Sequence, residues 1–308
     1  MLSFSTLAEG ASLGATAVTI GKFDGIHRGH QALIRELISA ARAHDLNTVL
    51  VTFDRHPDAL LNPTKLKWPL IGPKQKAELV AEAGVDAMLT LNFDENLASQ
   101  SAEAFIQETL VDGLNAKLVI VGEDFRFGAG GAGDVALLND LGQQLGFEVR
   151  VIPSATEAGL KVSTSAIRDL LDLGDVAKAA QLLGRVHTTV GVIEHGLKIG
   201  RTIGFPTANM SRDAEGYLPL DGVYVGWLIA DGVRYPAAHS VGINETFQAV
   251  PRLVESHVLD RKDLDLYDKV VTLEYIDFIR PSAKFDGVES LVDEINRDLD
   301  KIRIILGL

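Results

Sequence analysis

The chain contains no cysteine. Disulfides, thiolate metal sites and a cysteine nucleophile are excluded together. Nor does it contain an apolar run near the ~18 residues that a membrane-spanning helix needs. Neither Lys nor Arg occurs in the first twenty residues, which also lack a compact apolar core segment. They read as neither a secretion signal nor an organelle presequence, so the expectation is a soluble, cytoplasmic protein without a membrane partner. Basic residues are scarce: 29 Lys and Arg stand against 42 Asp and Glu, a formal net charge of −13. The deficit holds on both sides of Gly184. A surface of that sign repels phosphate backbones, so nucleic acid is not an expected partner either.

What is present is ordinary globular composition, with 46% hydrophobic and 23% charged residues over 308 positions. At ~100 to 200 residues per domain, that length suits two domains, and the texture changes at Gly184. Residues 1–184 and 185–308 are the predicted domains. In the first, β-branched runs at Ala17 to Ile20, Thr48 to Phe53, Val85 to Leu91, Lys117 to Val121 and Phe147 to Ile152 predict strands. Stretches of helical period lie between them at Gln31 to His44, Lys74 to Ala83, Ala102 to Val111 and Val135 to Leu145. Such alternation predicts an α/β fold, a parallel sheet with helices on both faces and ligands beyond the carboxyl ends of its strands. Asp175 to Gly184 reads as a closing helix of the first domain or a connector.

After Gly184 short alternating strands dominate: Thr188 to Glu194, Gly222 to Ala230, Val233 to His239, Leu253 to Leu259 and Val270 to Phe278. Asp231-Gly232 between two of them is a type I′ hairpin signal. A small, closed antiparallel β-barrel follows from this pattern. The last stretch, with Val288, Leu291, Val292, Ile295, Leu299, Ile302 and Leu306 on one face, predicts a helix packed on that barrel.

Two motifs carry chemistry. Gly21-Lys22-Phe23-Asp24-Gly25-Ile26-His27-Arg28-Gly29-His30 follows a predicted strand and opens a predicted helix, the setting of a phosphate-binding turn. Gly21 and Gly25 let the backbone approach an anion, and Gly29 lets the chain turn between the two histidines. If the helix begins near Arg28, both imidazoles project toward one point at its positive end. Paired histidines also suit zinc, but no convincing third ligand stands nearby. The second motif runs from Gly196 to Asn209, with glycines at 196, 200 and 204 for a loop that closes over phosphates. On an extended segment Thr207 and Asn209 share a face, so a hydroxyl and an amide oxygen can bind one Mg²⁺.

His27-Arg28-Gly29-His30 resembles the HxGH signature of the nucleotidyltransferases. That superfamily usually has a second, Ser/Thr-rich phosphate turn, a role that Lys161-Val162-Ser163-Thr164-Ser165-Ala166-Ile167-Arg168 fits. With Val51 to Pro57 and Val121 to Gly128 at predicted strand ends, residues 15–183 resemble the FMN adenylyltransferase module of bacterial FAD synthetases. The resemblance implies a Rossmann-like domain that binds ATP through Gly21, Phe23, Asp24, Gly25, Ser163, Thr164, Ser165 and Arg168. His27, His30, Asp124 and Lys161 are its implied catalytic residues, in a reaction that makes FAD and pyrophosphate from FMN and MgATP. Asp124 stands where that family usually has asparagine, Lys161 where it often has arginine, and Arg55 where proline is common. Thr164-Ser165 reverses the usual order.

Gly200-Arg201-Thr202-Ile203-Gly204-Phe205-Pro206-Thr207-Ala208-Asn209 resembles the GRxxGFPTAN motif of riboflavin kinases. Further matches run through Leu218 to Tyr224, Ser240 to Asn244, Val254 to His257 and Lys284 to Asp286, with Glu245 in place of a usual proline. This resemblance implies that Glu255 accepts the proton of the riboflavin 5′-hydroxyl. Gly200, Arg201, Gly204 and Pro206 bind ATP, while Thr207 and Asn209 hold Mg²⁺ and phosphates. The implied protein is a bifunctional flavin enzyme whose partners are small molecules, ATP, riboflavin and FMN, and a homo-oligomer is compatible with it. The alternative is a riboflavin kinase whose first domain is impaired or only binds flavin or nucleotide.

Overall fold

The computed structural model describes all residues except 58, 59, 61–63, 65–67, 158, 197, 198, 243–251 and 262, and omits the side chains of Ala11, Leu160 and Ile199. Leu197 and Lys198 of the second motif, and Ile243, Asn244 and Glu245, lie outside the described residues. The chain forms two compact units, Met1–Pro69 with Pro73–Ser163, and Leu70–Gly72 with Thr164–Leu308. No helix among the described residues is long and apolar enough to cross a membrane.

The first unit is a six-stranded sheet of β1 (Leu2–Phe4), β2 (Thr16–Ile20), β3 (Asn47–Phe53), β4 (Ala87–Leu91), β5 (Ala116–Gly122) and β6 (Glu148–Ile152), ordered β1-β4-β3-β2-β5-β6. Every pairing is parallel. The helices α1 (Arg28–Ala43), α2 (Pro73–Glu82) and α3 (Val135–Leu145) occupy predicted positions. The stretch predicted as one helix from Ala102 starts as a helix over Ala102–Phe105 and widens into a π-helix over Ile106–Gly113, with Ile106, Thr109 and Leu110 buried. All five residues of β2 are buried. Val18 and Ile20 join one core with Val119 and Leu138, while Ala17 joins another with Leu118 and the α1 residues Leu37 and Ala41. Alternate side chains of one strand thus feed two cores, which is why β2 reads as an uninterrupted apolar run. A two-stranded hairpin, β7 (Thr156–Glu157) and β8 (Leu160–Lys161), completes the unit.

The second unit is a closed barrel of β9 (His187–Glu194), β10 (Ala208–Met210), β11 (Gly222–Ala230), β12 (Val233–Gly242), β13 (Leu253–Val258) and β14 (Val270–Pro281), in the order β10-β13-β12-β11-β14-β9. At the hairpin between β11 and β12, Asp231 and Gly232 have φ of 51° and 76°, the left-handed pair that a type I′ turn demands. Tyr224, Tyr275, His239 and Thr189 are fully buried. Burial lowers the pKa of both His187 and His239 to about 4, so both imidazoles are neutral. Helices α4 (Thr164–Asp172) and α5 (Val176–Leu183) precede the barrel, and the Leu220 amide donates to the Leu171 carbonyl at 2.8 Å. The stretch from Asp175 to Gly184, read as a closing helix of the first domain or a connector, instead groups with the barrel in the second unit. The final helix α6 (Val288–Leu306) sets Leu299 and Ile302 against Val225 and Leu259.

Candidate active sites

In the first unit, β2 ends at Ile20 and α1 starts at Arg28, so the glycine-bearing motif fills the turn between them. Gly25 has φ of 84°, and Phe23 and Ile26 also take positive φ, 47° and 39°. Such a backbone is uncommon for a bulky or β-branched residue; here the buried side chains of Phe23 and Ile26 anchor it. His27 is the N-cap of α1, its Nδ1 accepting from the His30 amide at 3.3 Å. Because Nδ1 is the acceptor, the neutral ring carries its proton on Nε2. The His27 and His30 rings stack with centroids 3.7 Å apart, so the two predicted imidazoles do come together at the positive end of α1. Gly29 is not a turn between them, since it lies within α1. A β-carbon there would stand 3.2 Å from the His27 ring, so glycine provides room for that ring.

Asp24 is buried, and beneath the same loop lies a residue that sequence reasoning missed. Lys76 of α2 donates from Nζ to the Lys22 carbonyl at 2.9 Å and to the Thr52 hydroxyl at 3.3 Å. Burial lowers its pKa and the nearby Asp24 carboxylate works against that shift. Nothing in the helical period distinguishes Lys76 from a solvated lysine; only the packing of α2 does.

Asp54 follows β3, accepting from the Phe93 amide at 2.8 Å and from Arg55 at 3.1 Å. Burial raises its pKa, but these bonds outweigh burial and hold it below the usual range. Asp124 follows β5 and meets Lys161 of the β7–β8 hairpin at 3.4 Å, with both side chains more than half exposed. Two residues that depart separately from the resembled pattern are therefore partners in one ion pair. Ser163 ends the first unit, whereas Thr164, Ser165 and Arg168 open α4 of the second. Arg168 is buried with its guanidinium 5.8 Å from the Tyr217 ring.

In the second unit, the short strand β10 pairs antiparallel with β13 and places Asn209 directly opposite Glu255. Directly opposed residues project to the same face. Thr207 lies two positions before Asn209 and hydrogen-bonds the Glu255 side chain. A hydroxyl, an amide and a carboxylate thus converge, all three half-buried. Burial raises the Glu255 pKa and the Thr207 bond only partly reverses it, the direction that suits a general base. The loop before them is tightly built. A β-carbon on Gly196 would stand 2.4 Å from the Asn209 amide nitrogen, and one on Gly200 would stand 2.3 Å from the Phe205 carbonyl oxygen. Gly204 has φ of 92°. Beside Thr207 a pocket is lined by Arg201, Pro206, Ser256, Arg261 and Tyr267, a cationic and aromatic rim. The Pro206 carbonyl lies 2.8 Å from His257 Nδ1.

Among the described residues no three His, Cys, Asp or Glu side chains form a metal cluster. The donors at Thr207, Asn209 and Glu255 are oxygens on a half-buried face, which fits Mg²⁺, an ion bound through few protein ligands together with substrate phosphates.

Comparisons agree with this division into two sites. Residues 10–166 match the family described as FAD synthetase, and residues 183–306 match the family described as riboflavin kinase. A bifunctional riboflavin kinase/FMN adenylyltransferase from Escherichia coli (strain K12) is 35% identical over 94% of this chain and 93% of its own. One of the same description from Listeria monocytogenes is 35% identical over 91% of this chain and 89% of its own. A solved Streptococcus pneumoniae structure, described as a macrolide-efflux protein, superposes with a TM-score of 0.88 at 32% identity and covers 98% of both chains.

Proposed function

Because the chain belongs to the bifunctional riboflavin kinase/FMN adenylyltransferase family, we propose that it makes FAD in two ATP-consuming steps, one at each site described above. The observation that carries this reading is that one chain holds both a paired-histidine helix start and the Thr207–Asn209–Glu255 convergence. Functionally the chain divides near Gly184, with adenylyl transfer assigned to residues 1–184 and phosphorylation to residues 185–308.

In the kinase step the riboflavin 5′-hydroxyl oxygen attacks the γ-phosphorus of ATP, its proton passes to the Glu255 carboxylate, and ADP leaves with FMN formed. Thr207 and Asn209 would hold Mg²⁺, which when bound neutralises charge on the phosphates. Gly200, Arg201, Gly204 and Pro206 form the loop that encloses them. Thr207 also orients Glu255 through its hydrogen bond.

In the adenylyl step an FMN phosphate oxygen attacks the α-phosphorus of ATP and pyrophosphate leaves. No protein nucleophile is required. His27 donates from Nε2 and His30 stands stacked beside it, so the pair stabilises charge that grows on the phosphate oxygens. Gly21, Phe23, Asp24 and Gly25 shape the cradle. Ser163, Thr164, Ser165 and Arg168 are proposed as the second anion-binding turn on the strength of their sequence order.

The Asp124–Lys161 ion pair favours a second reading, a kinase whose adenylyl step is slow because each charge occupies the other. One experiment decides. Incubate the chain with riboflavin, ATP and Mg²⁺ and resolve the flavins by chromatography over time. The proposal expects FMN and then FAD. FMN alone would leave only the kinase, and no FMN would overturn the kinase assignment.

A further inference from the structure

Lys76 takes no part in the steps above, yet its ammonium sits under the nucleotide loop. It bonds the carbonyl of Lys22, the second residue of the motif, and the hydroxyl of Thr52 near the end of β3. Thr52 in turn donates to that same carbonyl at 3.1 Å. Lys76, Thr52 and Lys22 therefore form a closed set of contacts from three separate elements, α2, β3 and the loop after β2. The loop they hold has φ of 47° at Phe23 and 39° at Ile26, a backbone that persists only when its surroundings over-determine it. One of its side chains, Asp24, is buried and interacts electrostatically with the same ammonium.

We propose that Lys76 is a positioning residue for adenylyl transfer: its ammonium fixes the Lys22 carbonyl and thereby the loop that receives the ATP phosphates. The inference rests on the adenylyl-transfer reading of the first unit. A carbonyl held from below keeps the Gly21 to His27 backbone in the one arrangement in which His27 caps α1. Without the ammonium, the Lys22 oxygen loses its charged donor while Thr52 still contacts it, and buried Asp24 loses a nearby positive charge. The loop then samples arrangements that bind triphosphate poorly. Charge-assisted bonds of this kind correspond to about 10- to 100-fold in binding or rate.

The test uses the intact chain and measures both half-reactions separately. Lys76→Met is expected to raise the KM for ATP and lower kcat in FMN adenylylation, by about 10- to 100-fold in kcat/KM. Riboflavin phosphorylation is the internal control and stays within about two-fold, well below the tenfold that 1.4 kcal/mol produces. Lys76→Arg, which keeps charge and donors, recovers most of the loss. Lys76→Gln, which keeps a neutral donor, stands in should Lys76→Met not fold. A fall in kcat with the ATP KM unchanged would mean only a smaller folded fraction and would overturn the positioning role. Equal activity of all three variants would overturn it as well. If the unaltered chain forms no FAD from FMN, the adenylyl reading and this inference fall together; FAD from the unaltered chain with indifferent variants sinks the inference alone.

Discussion

Glu255 shows how one carboxyl group is tuned by burial and a neighbouring hydroxyl. Burial raises its pKa and a hydroxyl donor, Thr207, only partly offsets that. Since the ionised form must accept the proton, kinase activity is expected to fall as pH drops through this raised pKa. The acid limb therefore starts above the ~4.3 of an ordinary glutamate. Glu255→Gln should lower kcat by about 10² to 10⁴ and abolish that limb, which a pH profile of FMN formation measures. Asp124 poses a different residue-scale question. Its pair with Lys161 is solvent-exposed, so removing the charge changes stability by less than about 1 kcal/mol. The chemical effect is the larger one: Asp124→Asn leaves Lys161 available to phosphate and is expected to raise FAD output without altering FMN output. A drop in FAD output would show that the Asp124 charge itself serves the reaction.

At the scale of elements, α6 illustrates how a helical period becomes stability. Ile302 is fully buried in the core that includes Val225 and Leu259, whereas Ile304 is 80% exposed two residues on. Ile302→Ala is expected to destabilise the second unit by about 2 to 5 kcal/mol. Ile304→Ala should change it by less than about 0.5 kcal/mol, and denaturant unfolding of the two variants makes the comparison. The barrel also carries a pH liability. His187 and His239 have pKa values lowered to about 4 by burial, against an ordinary 6.5. Below pH 6.5 the unfolded chain takes up protons that the folded barrel refuses. Stability is thus complete above that pH and declines as pH falls toward 4, by roughly 3 kcal/mol for each histidine. Unfolding midpoints measured between pH 7 and pH 4 should decrease steadily.

For the molecule as a whole, two sites built on separate motifs predict activities that separate cleanly. His30→Ala should let FMN accumulate from riboflavin with little FAD. Glu255→Gln should make little FMN from riboflavin yet still convert supplied FMN to FAD. If either variant abolished both reactions, the assignment of one step to each site would be wrong.

Long periodic runs and contiguous motifs were legible from the sequence because both depend on neighbours in the chain. β2 to β6, the hairpin at Asp231-Gly232, the helix start at Arg28 and the closed barrel all follow from side-chain period and turn chemistry. Short elements did not: β1 and β10 span three residues each, too few to display a period. Three relations arose only from tertiary structure. Register placed Asn209 opposite Glu255. A two-stranded hairpin carried Lys161 to Asp124. The packing of α2 drove Lys76 beneath the nucleotide loop. Sequence by itself supplied the long strands and helices and the two motifs whose resemblance implies the two chemistries, since motif spacing and helix period are local. Which charges neutralise one another, and which lysine supports the loop, was decided by strand pairing and burial, which join residues that the chain keeps tens of positions apart.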